Sequence, residues 1–139
     1  KYQGNLNIEI KTDEYDYEGI EKNILKVIKV NTVPFSIILS SFNTETMLRV
    51  IALDTEYEKA IILDKSERKV IFGTDTNEIS GLHPSIEWIE DNIEMVRVIK
   101  KSLRPWTVNT EKQMLSCFDL ELAAFHTDYP EKALYLRAN

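Results

Sequence analysis

The chain of 139 residues has few cysteines, glycines, prolines and histidines, and these shortages exclude several classes of protein. A single cysteine, Cys117, permits no internal disulfide, which favours a reducing, cytoplasmic setting. Four glycines and four prolines leave little room for a flexible linker. No apolar run reaches the length of a membrane span, and no secretory signal pattern is present. We therefore expect one domain over residues 1–139. Because the sequence starts at Lys1 rather than Met, this domain is also expected to be a fragment of a longer protein as an alternative to a complete one.

Basic charge and catalytic motifs are scarce as well. The net charge of −6, from 23 acidic and 17 basic residues, argues against nonspecific binding to nucleic acid. His83 precedes a proline and His126 ends a helical pattern, so both are interpreted as structural. No metal-binding pair of cysteines or histidines and no glycine-rich phosphate loop occurs. We expect no metal and no cofactor, and Cys117 is interpreted as a small buried hydrophobic residue.

Hydrophobic periodicity predicts a strand followed by a helix and then a block of strands. Apolar and polar residues alternate over Asn5–Lys11, and a helical pattern covers Glu18–Val30. Four short segments rich in Ile and Val then read as strands, namely Phe35–Ser41, Leu48–Leu53, Lys59–Leu63 and Lys69–Gly73. Because only turn-sized polar segments separate them, we expect antiparallel neighbours.

The second half of the chain predicts helices. Pro84–Pro105 carries an apolar stripe, acidic residues in its first half and basic residues in its second, as one long helix would. Thr110 and Gln113 have the spacing of a capping box before a helix to about His126, and Glu131–Arg137 follows as a short helix or an edge strand. The predicted fold is α+β, with a four- to five-stranded, mainly antiparallel sheet, about three packed helices and the order β-α-β-β-β-β-α-α.

One set of charged residues suggests catalysis. Asp54 ends a predicted strand and Glu67, two residues before Lys69, opens another, an arrangement that resembles the metal-dependent PD-(D/E)XK nucleases. In that family the glutamate lies within the strand, whereas here it falls in a polar turn. A solvated hairpin tip is therefore the favoured interpretation, and catalysis by Asp54, Glu67 and Lys69 is an alternative.

Aromatic and acidic residues in predicted loops suggest protein binding. Tyrosines with neighbouring carboxylates suit an interface, and such a surface best matches a basic partner protein. The other interpretation is that these rings fold back onto the core. The candidate partner-binding residues are Tyr15, Asp16, Tyr17, Glu56, Tyr57 and Glu58.

The middle of the chain resembles the SUKH superfamily. The resemblance runs through Arg49–Asp54, Ala60–Leu63, Lys69–Phe72 and the helix start Ser85–Ile89. Many SUKH proteins are immunity proteins, so the resemblance implies a non-enzymatic inhibitor of a toxin or nuclease. That is our main functional prediction. The alternatives are a metal-dependent nuclease or phosphodiesterase, and an interaction domain of a larger protein such as a viral one.

Overall fold

A computed structural model describes residues 4–138. Its five strands form one sheet in which every neighbouring pair is parallel and the spatial order equals the chain order. The strands are β1 (Leu6–Glu9), β2 (Ile37–Ser41), β3 (Glu58–Ile62), β4 (Gly81–His83) and β5 (Ser102–Leu103).

Helices occupy every connection between consecutive strands and also follow the last one. They are α1 (Ile20–Asn31), α2 (Thr44–Ala52), α3 (Glu67–Asp75), α4 (Ile86–Asp91), α5 (Ile93–Val98), α6 (Glu111–Asp119) and α7 (Pro130–Ala138). None of the helices in the described part of the chain combines the length and apolar character needed to cross a membrane.

The prediction of a mainly antiparallel sheet is wrong. Leu48–Leu53 and Lys69–Gly73, which read as strands, lie largely within α2 and α3. Each helix carries the chain back along the sheet, so the next strand enters in the same direction as the previous one. The predicted order β-α-β-β-β-β-α-α is replaced by alternating strands and helices.

Local signals explain why α2 is a helix. The side chain of Asn43 accepts hydrogen bonds from the backbone N–H groups of Glu45 and Thr46, as an N-terminal cap does. Met47 and Val50 are fully buried three residues apart, which is the spacing of one face of a helix.

The single helix predicted over Pro84–Pro105 is also wrong. Asn92 leaves the helical conformation with φ −131° and ψ 36°, and this separates α4 from α5. Ser102 and Leu103 then pair with β4 as β5. The strands predicted at Asn5–Lys11 and Phe35–Ser41 are confirmed with shorter bounds, and the strand predicted at Lys59–Leu63 is confirmed one residue earlier. The first helix and the capping box of Thr110 and Gln113 are confirmed as well. The helix that begins there ends at Asp119 rather than near His126.

Alternate residues of the strands face opposite sides of the sheet. On one side, Leu39 of β2, Ile61 of β3 and Leu82 of β4 pack with the helices in the hydrophobic core. On the other side lie Ser40, Ala60 and Gly81, which are partners in the strand register. Both sets are buried in the middle of the sheet, and this explains the continuous apolar runs of β2 and β3.

Candidate functional site at the carboxyl edge of the sheet

The carboxyl ends of the five strands converge on a cavity of about 310 Å³. In helix-flanked parallel sheets this edge is where ligands bind and reactions occur. All but one of the lining residues lie on the sheet side opposite the hydrophobic core or in a segment that directly follows a strand, and His126 comes from the loop between α6 and α7. The lining residues are Asn7, Glu9, Lys11, Phe42, Ile62, His83, Trp106 and His126. We call this cavity the carboxyl-edge pocket.

Glu9 and Lys11 provide the opposite charges of the carboxyl-edge pocket. Glu9 is the last residue of β1 and Lys11 follows two residues later, and both are exposed and line the pocket. Thr12, the next residue, is buried, and its backbone oxygen accepts a hydrogen bond from the side-chain amide of Asn43 at 3.1 Å. The chain just beyond Lys11 is therefore anchored to the start of α2.

Aromatic rings form another wall of the pocket. Phe42 and Trp106 meet edge to face, with ring centroids 5.7 Å apart and an angle of 77° between the rings. The indole N–H of Trp106 donates to the backbone oxygen of His83 at 2.9 Å. Lys69 lies over the Phe42 ring, with its Nζ 5.3 Å from the centroid, as in a cation–π contact. These contacts connect the ends of β2, β4 and β5 with the start of α3.

Two histidines meet at the inner end of the pocket. The rings of His83 and His126 have centroids 5.1 Å apart. His83 is only 1% exposed, and neither of its ring nitrogens has a hydrogen-bond partner among residues 4–138. Burial, helped by His126 and Arg104, lowers the pKa of His83 to about 3. Leaving a buried polar group unsatisfied costs about 1–3 kcal/mol, so this ring is a candidate for ligand contact.

An ion pair lies further from the carboxyl edge, at the start of β3. Arg104 donates to both carboxylate oxygens of Glu58, at 2.6 and 3.2 Å, and so links the region of β5 to β3. Gly81 of β4 stands between them, and a Cβ there would lie 2.9 Å from Arg104 Nη1. The ion pair can cross β4 because position 81 has no side chain.

The six predicted partner-binding residues lie at two different edges of the sheet. Tyr15, Asp16 and Tyr17 follow β1 at the carboxyl edge, where the tyrosines are 68% and 57% exposed. Asp16 accepts a hydrogen bond from Arg49 of α2 at 2.9 Å, in an ion pair. These three residues are accessible, and their contact with a partner stays a prediction.

Glu56, Tyr57 and Glu58 lie at the amino edge, where β3 begins. Tyr57 is half-buried against the core around α1, and Glu58 is the partner of Arg104. A cavity of about 800 Å³ lies beside them, but it is at the end of the sheet opposite the carboxyl-edge pocket. The two groups of predicted residues therefore do not form one surface.

The predicted catalytic set is also divided between the edges. Asp54 precedes β3 in a left-handed conformation with φ 48°, whereas Glu67 and Lys69 follow β3 in α3. Five strand residues separate the two ends by roughly 16 Å. The three residues therefore share no site. Within residues 4–138, no cluster of three or more His, Cys, Asp or Glu residues could hold a metal ion.

Sequence reasoning did not select Glu9 or Lys11, and it treated His83 and His126 as structural. Alternation had placed Glu9 and Lys11 on the polar face of the first strand. That face becomes informative only when the strands are known to be parallel, because parallel strands bring their carboxyl ends to one edge. A polar residue at the end of each predicted strand was the available signal.

Comparison with known proteins identifies the family. The model of the glycerophosphoryl diester phosphodiesterase family matches residues 2–132. The YqiK protein of Bacillus subtilis is 30% identical over 96% of this chain and 56% of its own length. A glycerophosphodiester phosphodiesterase of Bacillus altitudinis is 27% identical over 95% of this chain and 55% of its own length. The chain thus spans about half the length of the curated relatives it matches.

A solved structure shares the fold. The phosphodiesterase OLEI02445 of Oleispira antarctica, determined with the product sn-glycerol-3-phosphate, aligns with a TM-score of 0.72 and 19% identity. The alignment covers 97% of this chain and 56% of that protein. The five parallel strands and their helices correspond to a segment of a TIM-barrel-type fold.

These findings overturn the functional predictions. The resemblance to the SUKH superfamily is wrong. The strands on which it relied, at Leu48–Leu53 and Lys69–Gly73, lie largely in helices, and the family model that matches the chain is that of a different family. The main prediction of a non-enzymatic, immunity-like domain is wrong for the same reason, and the phosphodiesterase alternative is the better supported one. With a family model matching residues 2–132, the chain belongs to the glycerophosphoryl diester phosphodiesterase family.

Proposed function

We propose that the protein carrying this chain hydrolyses glycerophosphodiesters and that the carboxyl-edge pocket forms part of its active site. The observation that carries the proposal is the match of residues 2–132 to the family model, together with opposite charges at the strand ends. Active sites of (β/α)₈ enzymes are built at this edge.

The charges of the pocket suit a phosphodiester. Lys11 supplies a cation that can contact the phosphate anion, and an ammonium does so as a compact point charge. Glu9 is the carboxylate among the residues that line the pocket, and a carboxylate can hold a divalent cation or accept a proton from water. Both residues line the same pocket, so Lys11 can contact the phosphate while Glu9 acts on a cation or a water beside it.

The test is hydrolysis of glycerophosphoethanolamine by the complete protein, with release of sn-glycerol 3-phosphate measured with and without added divalent cations. We expect Glu9→Gln to lower kcat/KM by about 100-fold or more, in line with loss of a group that acts on a proton or cation. Lys11→Gln should lower kcat/KM by roughly 10- to 100-fold, because a charge-assisted hydrogen bond to phosphate is lost.

Glu56→Gln is the matched control, since it removes one carboxylate charge at the amino edge, far from the pocket. We expect this variant to keep the activity of the unaltered protein. Absence of hydrolysis by the unaltered protein, or equal activity of all three variants, would contradict the proposal.

A further inference from the structure

His83 is a buried polar side chain without a partner in the described chain. It ends β4, is 1% exposed, and lines the carboxyl-edge pocket with both ring nitrogens unbonded within residues 4–138. Its backbone oxygen is already used, because it accepts the indole N–H of Trp106 at 2.9 Å. The ring nitrogens are therefore the polar groups that remain for a bound molecule.

His126 supplies a second imidazole next to the first. The two ring centroids are 5.1 Å apart, with an angle of 58° between the rings. Backbone hydrogen bonds hold His126 in place, since its N–H donates to Pro105 and its carbonyl accepts from Val108, at 2.9 and 2.8 Å. His126 is half-buried and also lines the pocket, so the pair presents one deep ring and one more accessible ring.

Burial favours the uncharged form of both rings. Burial lowers the pKa of each histidine, and the positive charge of Arg104 acts in the same direction on both, while the nearby carboxylate of Glu9 opposes the shift at His126. A neutral imidazole has one N–H donor and one acceptor nitrogen. A hydroxyl group also donates and accepts, whereas an ionised phosphate group only accepts. The pair therefore matches hydroxyl groups better than it matches a phosphate.

We propose that His83 and His126 bind the hydroxyl groups of the glycerol part of the substrate and so determine specificity for a polyol. The inference rests on the proposed function and adds a division of labour to it. Lys11 and Glu9 act at the phosphate, while the imidazole pair binds the hydroxyl groups of the glycerol part. The cavity of about 310 Å³ lies at the lower end of ligand-site volumes, as a small polyol phosphate requires.

The test compares two monoesters that share a phosphate and a three-carbon chain, sn-glycerol 3-phosphate and propyl phosphate. Their dissociation constants are measured by calorimetry on the complete protein. We expect the unaltered protein to bind glycerol 3-phosphate at least 10-fold more tightly. In His83→Leu and His126→Phe this preference should fall towards unity, with little change for propyl phosphate.

His83→Asn controls for loss of the ring alone, because asparagine keeps a donor and an acceptor. It should retain part of the preference that His83→Leu loses. Tyr57→Phe, which removes a polar group from a half-buried ring at the amino edge, should keep the full preference. Because His126 is less buried than His83, His126→Phe also serves if His83→Leu fails to fold.

The outcomes separate this inference from the proposed function. An unchanged preference in both histidine variants, an equal loss of affinity for both monoesters, or no preference in the unaltered protein would overturn the role of the pair. If the unaltered protein prefers glycerol 3-phosphate through the histidines but cleaves no glycerophosphodiester, the inference stands and the proposed function fails.

Discussion

Single residues at the carboxyl edge and in the core take their chemical properties from burial. Cys117 is buried in the core next to α7, and burial raises the pKa of its thiol to about 11. The interpretation of Cys117 as a small buried hydrophobic residue is therefore confirmed. His83 shows the same effect with the opposite direction of pKa shift, because burial disfavours the charged form of either group.

The shifted pKa of His83 predicts a pH dependence of folding. The pKa is about 3 in the folded protein and near 6.5 when unperturbed. Between these values the unfolded chain binds a proton that the folded chain does not, so the free energy of unfolding falls as the pH falls. One such group contributes about 1.4 kcal/mol per pH unit within that window.

Urea unfolding at pH 7, 6 and 5 measures this contribution. The protein should lose stability between pH 6 and 5 more steeply than the His83→Gln variant, which lacks the titrating ring. Equal slopes for the two proteins would show that His83 is not held in its neutral form by the fold.

At the level of helices and strands, packing against the sheet decides what each segment tolerates. Gly73 lies inside α3, where an alanine would ordinarily stabilise the helix by about 1 kcal/mol. A Cβ at this position would lie 2.6 Å from Leu82 Cδ2 and 2.8 Å from Ile61 Cγ2. Both atoms belong to the buried core between α3 and the sheet, so the helix has no room to move closer.

We expect Gly73→Ala to be destabilising. Overpacking typically costs about 1–3 kcal/mol, which exceeds the gain in helix propensity. Chemical denaturation gives the free energy of unfolding. The control is Ile71→Ala on the exposed side of the same helix, which should change it by about 0.5 kcal/mol or less. A Gly73→Ala protein as stable as the original would contradict this packing.

At the scale of the whole molecule, the direction of the strands follows from the nature of the connections. Two segments that read as strands are helices, and that change converts an antiparallel meander into a parallel sheet. Within residues 4–138, β2 and β3 each pair on both sides and are almost entirely buried, whereas the last helix, α7, has no buried residue. Protection of the backbone should therefore differ along the chain.

Hydrogen exchange of the chain tests this arrangement. Amides of β2 and β3 that donate within the sheet should exchange at least 10-fold more slowly than those of α7, because opening the middle of the sheet breaks more contacts. Equal protection of β3 and α7 would contradict the buried, doubly paired position of β3.

The sequence predicted the positions of the first three strands, the first helix and the capping box, because these depend on local periodicity and capping. It failed at Leu48–Leu53 and Lys69–Gly73, where short runs of branched residues fit a strand and a helix equally well. Because the strand directions were therefore mispredicted, the carboxyl-edge pocket was not predicted either. Glu9 and Lys11 are far in sequence from His83 and Trp106, and only the parallel pairing brings all four to one edge.

The ion pair of Arg104 and Glu58 has a consequence for how relatives of this chain vary. Gly81 cannot acquire a side chain while Arg104 reaches across it, and Arg104 cannot be lost without leaving Glu58 unneutralised. The three positions should therefore change together over evolutionary time rather than one by one. Related sequences with a larger residue at position 81 are expected to have replaced both the arginine and the glutamate.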